Sequence, residues 1–339
     1  MQTYIQKHYQ RALAQQEKAK AKRTPQEHAD ALQSEWTNAI GTCPDVAEAE
    51  LHVNLIHSVE RDGYREEKVE LHIGDVATMP IYILIPHNVT LPAPAVLAIH
   101  GHGYGHNEIV GRTQTGEIDE EAPGIHQHFA VQLVKRGVIA VAPEVAGFGS
   151  RRHPKDIETD QRSSCARFAT QLLMLGQTLT GYRTEELLQV LRYMQKRSDI
   201  QENAIGMMGF SGGGLLALSV GIRSTVPKAI VLCGFPSTFI GSTMDRPHCH
   251  DNYAPGLALP SELPGYISTL APRPLFIESG DNDMVFPVEP VQECIAEVRK
   301  VYEAAGASEH MAHDIFPGVH EISGRRSYDW VTSKLHSST

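Results

Sequence analysis

Short apolar segments and helical segments alternate from about residue 92 onward, and this alternation constrains the fold more than any other feature of the sequence. The segments AVLAIH, VIAVAPE, AIGMMGF, AIVLCG and PLFIES have the length and apolar content of buried strands. Helical patterns such as FAVQLVKRG, RTEELLQVLRYMQKR and GGLLALSVGI lie between them. Repeated alternation of strand and helix predicts an α/β fold with a mostly parallel, doubly wound sheet.

Further segments extend this pattern at both ends. ELHVNLIHSV, KVELHIG and PIYILIP are separated by turn residues and predict antiparallel strands that open the sheet. After PLFIES come a helical segment over residues 288–306, the short strand HDIF and a last helix near SYDWVTSKL. Nine segments in all have strand patterns, and the fold that we expect is one large, mostly parallel sheet of eight strands.

The first 45 residues have a different composition from the rest of the chain. They are rich in Ala, Gln, Lys and Glu with few large apolar side chains, which predicts helices. Thr24 and Pro25 predict a new helix that begins there, with Thr24 as its N-cap. We expect a helical arm over 1–45 and one α/β domain over 46–339. The arm either packs on that domain or joins two subunits, so a homodimer through these helices is one predicted interaction.

Composition excludes several classes of partner. The formal net charge of −10 argues against nucleic acid and against an anionic membrane surface, because binders of either usually carry a basic face. The five cysteines are widely separated without C-x-x-C spacing, which is typical of free thiols in a reducing compartment. The N-terminus has no apolar signal segment, and no run of 18 apolar residues occurs. These features predict a cytoplasmic protein.

The segment MGFSGGG carries the clearest chemical motif. Gly209 to Gly213 match G-x-S-x-G and lie between the strand AIGMMGF and the helix GGLLALSVGI. A serine held there needs a strained turn, and the close approach of strand and helix favours glycine at the flanking positions. The motif predicts that Ser211 is a nucleophile; the alternative is a simple glycine turn.

A serine nucleophile needs a histidine that accepts its proton and an acid that orients the histidine. In folds of this kind the chain order is serine, acid, histidine. After Ser211, the strand PLFIES leads into a turn that carries Asp281 and Asp283, and either carboxylate fits this order. The alternative is an Asp-rich turn that only caps the next helix.

Four histidines follow that turn. His313 begins the strand HDIF, His310 lies in the charged segment before it, and His336 lies in the C-terminal tail. His320 follows the turn Pro317-Gly318-Val319, just past the carboxyl end of the last strand, where ligand-facing loops of parallel sheets gather. His320 is the predicted general base.

The segment HGHGYGH, residues 100–106, follows the strand AVLAIH. Acyl transfer needs two N–H donors for the developing oxyanion, and in this kind of fold they come from the residue after the nucleophile and from a loop in this position. Gly212 and His102 are the predicted donors. Gly103 or Tyr104 is the alternative to His102.

The same histidines also suggest a metal site. His100, His102 and His106 would have to converge with a fourth ligand, for example from the segment HCHD at residues 248–251. Because a serine, histidine and acid set needs no metal for its chemistry, we predict neither a metal nor another cofactor.

Together these motifs resemble the α/β-hydrolase superfamily, in particular the dienelactone hydrolase and acetyl xylan esterase-like branch of bacterial esterases. The resemblance runs from about Pro80 to the C-terminus and includes PAPAVLAIHGHG, EVAGFGSRR, HCHDNYAPG and LAPRPLFIESGDNDMVFPVEP. It favours Asp283 over Asp281, because G-x-x-D followed by Phe286-Pro287 is similar to the acid loop of that superfamily.

The resemblance implies a serine carboxylic-ester hydrolase that needs no cofactor and acts on small acyl esters, often those of acetylated sugars. We expect Gly103 and Tyr104, beside the predicted oxyanion donor, and His250, in a segment that can reach the mouth of the site, to contact this small-molecule ester. The alternative is that the segment that contains His250 has a purely structural role and stabilises a loop. Relatives commonly have glycine where His102 stands.

Two other functions fit the same core. A serine peptidase related to prolyl peptidases would use the same three residues, but we expect no propeller, since the N-terminal residues show no repeat of about 40 residues. A non-catalytic binding protein is the second alternative, because a fold alone does not establish activity.

Overall fold

Nine strands form one sheet in the structure, a computed structural model that describes residues 1–120 and 123–336. The strands are β1 (Leu51–Arg61), β2 (Tyr64–Ile73), β3 (Ala77–Pro86), β4 (Ala93–Ile99), β5 (Ile139–Pro143), β6 (Ile200–Phe210), β7 (Ile230–Cys233), β8 (Leu275–Gly280) and β9 (Met311–Phe316). Their order is β1-β2-β3-β5-β4-β6-β7-β8-β9. The first three strands are joined by antiparallel pairing, and β5 to β9 with β4 are parallel to one another.

This topology confirms the mostly parallel sheet with antiparallel opening strands, but the predicted count of eight strands is wrong. The outermost strand, β1, pairs along its length with β2 and has a largely exposed or half-exposed burial pattern. All nine segments with strand patterns join the sheet, this edge strand included, so the error lies in the count and not in any one segment.

Helices cover both faces of the sheet. They are α1 (Gln2–Lys20), α2 (Pro25–Ile40), α3 (Pro44–Ala47), α4 (Phe129–Val134), α5 (Pro154–Glu158), α6 (Cys165–Met174), α7 (Leu179–Lys196), α8 (Gly212–Arg223), α9 (Leu263–Ser268), α10 (Val288–Ala304) and α11 (Ser327–His336). Successive strand residues enter different cores: Leu97 and Met207 lie in one apolar cluster, and their neighbours Val96 and Met208 lie in the other. Buried side chains that alternate in this way are the mark of a sheet covered on both sides.

The predicted helix start at Thr24 is confirmed. The Thr24 side chain accepts a hydrogen bond from the amide of Glu27 at 3.3 Å, and the Glu27 carboxylate accepts one from the Thr24 amide at 2.8 Å. Trp36 of α2 is fully buried, and its indole N–H donates to Ser219 Oγ of α8 at 3.2 Å. Its ring packs edge-on against Tyr266 of α9, with centroids 4.9 Å apart. Helix α2 therefore packs directly on the α/β core.

All five cysteines are free thiols, as predicted. Within the described part of the chain, no helix is both long and apolar enough to cross a lipid bilayer.

Candidate active site

Ser211 occupies the tight turn between β6 and α8. Its backbone has φ 55° and ψ −118°, a region that side-chain-bearing residues rarely adopt. A Cβ on Gly209 would lie 2.1 Å from the carbonyl oxygen of Gly213, and one on Gly213 would lie 2.1 Å from that of Ile99. Only glycine fits at these two positions, so the turn can lift Ser211 above the carboxyl end of β6.

The structure brings Ser211, His320 and Asp283 into one hydrogen-bonded chain. His320 Nε2 lies 3.0 Å from Ser211 Oγ, and His320 Nδ1 lies 2.7 Å from Asp283 Oδ2. The turns after β6, β8 and β9 deliver these residues to the same edge of the sheet. Asp283 is buried, and its Oδ1 accepts hydrogen bonds from the amides of Val285 at 2.7 Å and Phe286 at 2.9 Å. The set has the connectivity of a nucleophile, a base and an orienting acid.

Asp281, the alternative acid, is placed differently. It is exposed, and its Oδ1 accepts a hydrogen bond from the amide of Gly318 at 3.1 Å, so it ties the acid turn to the turn that precedes His320. The other histidines have separate contacts: His310 with the carbonyl of Pro272 and His313 with Arg299. His336 lies at the end of α11, where its Nδ1 is 2.8 Å from the carbonyl oxygen of Thr332.

The candidate oxyanion donors differ in whether their backbone N–H groups already donate a hydrogen bond within the protein. The Tyr104 amide donates to Glu108 Oε1, so this N–H is already engaged. Within residues 1–120 and 123–336, the amides of Gly212, His102 and Gly103 donate to no other protein atom. The structure thus leaves the two predicted donors, and Gly103, open to a ligand.

The other two histidines of the segment HGHGYGH form hydrogen bonds that hold this loop to the neighbouring backbone. His100 Nε2 accepts a hydrogen bond from the amide of Val145 at 3.1 Å, and His106 Nδ1 donates to the carbonyl of Ala142 at 3.2 Å. Burial lowers the pKa of each of these two imidazoles to about 3, so both are neutral at pH 7. His100, His102 and His106 therefore do not converge as a metal triad.

His102 belongs to a separate, partly buried cluster. Its Nε2 lies 3.3 Å from Asp251 Oδ2 and 3.7 Å from Cys165 Sγ. Burial alone would lower the pKa of His102, but the Asp251 carboxylate raises this pKa to about 10. Arg183, which is also buried, donates to both Asp251 and Cys165. A Cβ on Gly212 would lie 3.0 Å from the His102 ring, so the cluster borders the Ser211 turn directly.

A cavity of about 580 Å³ begins at the same loop. Its lining includes the two predicted substrate contacts Gly103 and Tyr104, together with Glu108, Glu144, Arg152 and Arg162. A Cβ on Gly103 would lie 2.0 Å from Glu108 Oε1, so the loop backbone lies against the carboxylate there.

The HCHD segment meets the site through residues other than His250. His250 is exposed at the start of a short 3-10 helix, and none of the contacts among the described residues joins its side chain to Ser211, His320 or Asp283. His248 instead packs against Phe286 with ring centroids 4.9 Å apart, and Phe286 stacks on His320 at 5.9 Å. His248 Nε2 is buried and has no hydrogen-bond partner in the described part of the chain. Sequence reasoning missed this residue, although the histidine-rich segment pointed to the region.

Comparison with known proteins places the chain in a family. The sequence profile of the Abhydrolase family matches residues 9–331. YtaP of Bacillus subtilis (strain 168), whose own designation as a hydrolase is provisional, is 27% identical over 274 residues, which are 80% of this chain and 86% of that protein.

Solved structures share the architecture. A protein of Bacteroides fragilis NCTC 9343, provisionally named an acetyl xylan esterase, superimposes with a TM-score of 0.70 at 20% identity over 91% of this chain and 83% of that chain. The glucuronoyl esterase of Solibacter usitatus gives a TM-score of 0.65 at 13% identity over 91% of this chain and 92% of that chain. The predicted α/β-hydrolase fold is confirmed, and the match along nearly the whole sequence shows that this chain belongs to the Abhydrolase family.

Proposed function

We propose that the protein is a serine carboxylic-ester hydrolase. The observation that carries this proposal is the hydrogen-bonded chain from Asp283 through His320 to Ser211, with the serine on a positive-φ turn. Several similar structures are named as esterases, and the related B. subtilis protein is provisionally named a hydrolase, which supports the same class of reaction.

In the acylation half, His320 Nε2 takes the proton from Ser211 Oγ as this oxygen attacks the ester carbonyl. Asp283 accepts a hydrogen bond from His320 Nδ1 and stabilises the imidazolium that forms. The amides of Gly212 and His102 donate to the oxyanion of the tetrahedral intermediate. When the intermediate collapses, the ester C–O bond breaks, and the imidazolium gives its proton to the departing alcohol.

In the deacylation half, water replaces the alcohol. His320 takes a proton from this water as its oxygen attacks the acyl carbon, and the same two amides stabilise the second oxyanion. The bond from the acyl carbon to Ser211 Oγ then breaks, and the imidazolium returns the proton to Ser211. The products are a carboxylic acid and the free enzyme.

We propose a sugar or another hydroxyl-rich alcohol as the leaving portion of the ester, with a small acyl group such as acetyl. Five charged side chains line the cavity at the His102 loop, those of Lys68, Glu108, Glu144, Arg152 and Arg162. Charged and hydrogen-bonding groups suit hydroxyls better than an alkyl chain, because an apolar ligand would displace water from these groups without replacing its hydrogen bonds. The carbohydrate-esterase names of the similar structures support the same substrate class.

The direct experiment is hydrolysis of p-nitrophenyl acetate and of a panel of acetylated sugars by the purified protein. We expect turnover with both, and Ser211→Ala is expected to lower kcat by about 10⁴-fold or more. Ser58→Ala, at an exposed serine of β1, is the matched control and is expected to retain wild-type turnover. Equal turnover in wild type and Ser211→Ala would contradict the proposal, and faster cleavage of an aminoacyl-proline amide than of the esters would favour a peptidase.

The cytoplasmic location and the homodimer are also proposals. Five free thiols support a reducing compartment, and cell fractionation tests it. Light scattering of the full chain tests the dimer, and a monomeric mass would contradict it. Exposed side chains on α1, among them Tyr4 and Ile5, are the surface from which such a dimer would be built.

A further inference from the structure

Four metal-binding side chains from three separate segments meet beside the Ser211 turn. His102 comes from the loop after β4, Cys165 is the first residue of α6, and Cys249 and Asp251 come from the HCHD segment. One imidazole nitrogen, two thiol sulfurs and one carboxylate oxygen all lie within 4.8 Å of one another. None of the four belongs to the Asp283, His320 and Ser211 chain. Imidazole and thiolate with one carboxylate is a donor set that suits a borderline-soft divalent ion such as Zn²⁺.

Three of the six separations among these donor atoms match the edges of a metal tetrahedron. From ordinary zinc–ligand bond lengths, a tetrahedral site separates nitrogen from oxygen by about 3.4 Å, and sulfur from nitrogen or oxygen by about 3.6 Å. His102 Nε2 lies 3.3 Å from Asp251 Oδ2, and Cys165 Sγ lies 3.7 Å from the same nitrogen and 3.9 Å from the same oxygen. The three edges agree with the tetrahedron to within about 0.3 Å. The protein therefore already holds His102, Cys165 and Asp251 at metal-binding separations, with Cys249 Sγ within 4.8 Å of all three donor atoms.

We propose that this cluster binds one Zn²⁺ ion through His102, Cys165, Cys249 and Asp251. Four protein ligands fill a tetrahedron and leave no open position, which is the arrangement of a structural zinc site and not of a catalytic one. Cys165 and Asp251 are buried, so the ion would sit inside the protein at the junction of the three segments. This proposal differs from the expectation of no metal, because His102 is grouped with residues of α6 and the HCHD segment and not with His100 and His106.

Arg183 fits such a site as an outer partner of the ligands. Its guanidinium donates to Asp251 Oδ2 and, at 3.1 Å, to Cys165 Sγ, and its Nε donates to the carbonyl of Ala146 at 2.9 Å. Two thiolates, one carboxylate and one Zn²⁺ carry a net charge of −1, and the buried guanidinium brings the cluster to neutrality. Hydrogen bonds to ligating groups commonly orient them and tune their affinity for the metal. The ion would displace the thiol protons into solvent, because Cys binds a metal as thiolate.

The position of the cluster gives the ion a clear structural effect. His102 directs Nε2 toward Asp251 and Cys165, while its Nδ1 lies 3.0 Å from the place where a Cβ of Gly212 would stand. An ion on Nε2 would therefore fix the loop that supplies an amide beside Ser211. Metal binding itself does not depend on ester hydrolysis, so it can be tested in the inactive Ser211→Ala protein.

The test is titration of the full-length, reduced and chelator-treated Ser211→Ala protein with Co²⁺, a spectroscopic substitute for Zn²⁺. We expect thiolate-to-cobalt charge-transfer absorption and the strong visible bands of tetrahedral Co²⁺, saturating at one equivalent and bleached by Zn²⁺. Cys165→Ser and Cys249→Ser are each expected to reduce the charge-transfer band by about half, because each removes one of two thiolates. Asp251→Asn is expected to weaken affinity by about 10-fold to 100-fold.

Cys43→Ser, at a buried cysteine outside the cluster, is the matched control and is expected to bind Co²⁺ like the parent. Cys249 is only half-buried, so its substitution leaves a folded protein to test even if Cys165→Ser fails to fold; circular dichroism verifies this. Absence of the charge-transfer band in the parent overturns the proposal. Its persistence in a folded Cys249→Ser protein at full strength overturns it as well, since the thiolates would then come from elsewhere.

Discussion

Asp283 holds His320 with one carboxylate oxygen and is itself fixed through the other. Oδ2 lies 2.7 Å from His320 Nδ1, while Oδ1 accepts the amides of Val285 and Phe286. The orientation of the imidazole is therefore set by hydrogen bonds to backbone amides that are formed without substrate. Such preorganisation spares the reaction the cost of arranging the base.

Replacement of this carboxylate is expected to disable the base without unfolding the protein. In Asp283→Asn, the amide can present N–H to His320 Nδ1 and so favour the wrong tautomer, and kcat is expected to fall by about 10⁴-fold. Steady-state hydrolysis of p-nitrophenyl acetate measures the change. Asp281→Asn is the matched control two residues away and is expected to retain kcat within about 10-fold, since Asp281 only ties two turns together. Similar losses in both variants would reject Asp283 as the acid.

The glycine that precedes the Ser211 turn gives a second prediction. In Gly209→Ala, the new methyl would meet the carbonyl oxygen of Gly213 at 2.1 Å, and this backbone atom can yield only if the turn moves. We expect the free energy of unfolding to fall by about 1–3 kcal/mol and kcat to fall by about 10²-fold, because the hydroxyl is displaced. Urea unfolding and ester hydrolysis measure the two effects.

Gly124→Ala provides the comparison for that variant. A Cβ at this position has no heavy atom within 4 Å in the described part of the chain. Its stability and kcat are expected to stay near those of the wild type. A Gly209→Ala protein as stable and active as Gly124→Ala would show that the turn tolerates a side chain.

The buried imidazole of His106 predicts a loss of stability in acid. Burial lowers its pKa in the folded protein to about 3, and Lys68, Arg112 and Arg151 add to this effect. Nε2 lies 3.6 Å from Glu144, a contact of a neutral imidazole and not an ion pair. Below the ordinary histidine pKa of about 6.5, the unfolded chain takes up a proton that the folded chain refuses, so stability falls as pH decreases toward 3.

The expected loss of stability follows from the difference between the His106 pKa in the folded and the unfolded chain. From pH 6.5 to pH 5, one such histidine removes about 2 kcal/mol of stability. Urea unfolding at pH 7 and pH 5 should show a correspondingly smaller drop for His106→Gln than for the wild type. His52→Gln, at an exposed histidine of β1, is expected to follow the wild-type drop. Parallel curves for the wild type and His106→Gln would mean that His106 is protonated in the folded protein.

Features with a local signal could be predicted from the sequence. The buried parallel strands are short apolar runs, and the Ser211 turn is marked by glycines whose Cβ atoms would clash with backbone. His320 and the turn of Asp281 and Asp283 could be selected because parallel strands deliver their following loops to one edge of the sheet, and the resemblance to the α/β-hydrolase superfamily favoured Asp283. Helices α6 and α9 were missed, since each is short and lies within a polar or proline-containing stretch.

Features that depend on distant parts of the chain could not be predicted. His102, Cys165 and Asp251 meet only because the loop after β4, the start of α6 and the HCHD segment fold together. No spacing in the sequence encodes that meeting, since the residues are 63 and 86 positions apart in the two cysteine contacts. For the same reason His248, which reaches the site through the ring of Phe286, could not be separated from its neighbour His250.

The central claim is that Ser211 is a nucleophile activated by His320. Incubation with a fluorophosphonate followed by peptide mass spectrometry tests this directly, because the reagent forms a covalent bond with an activated serine. We predict one adduct on Ser211, none in Ser211→Ala, and much slower labelling in His320→Gln than in His313→Gln. A folded wild-type protein that stays unlabelled, or that carries the adduct on a different serine, would contradict the claim.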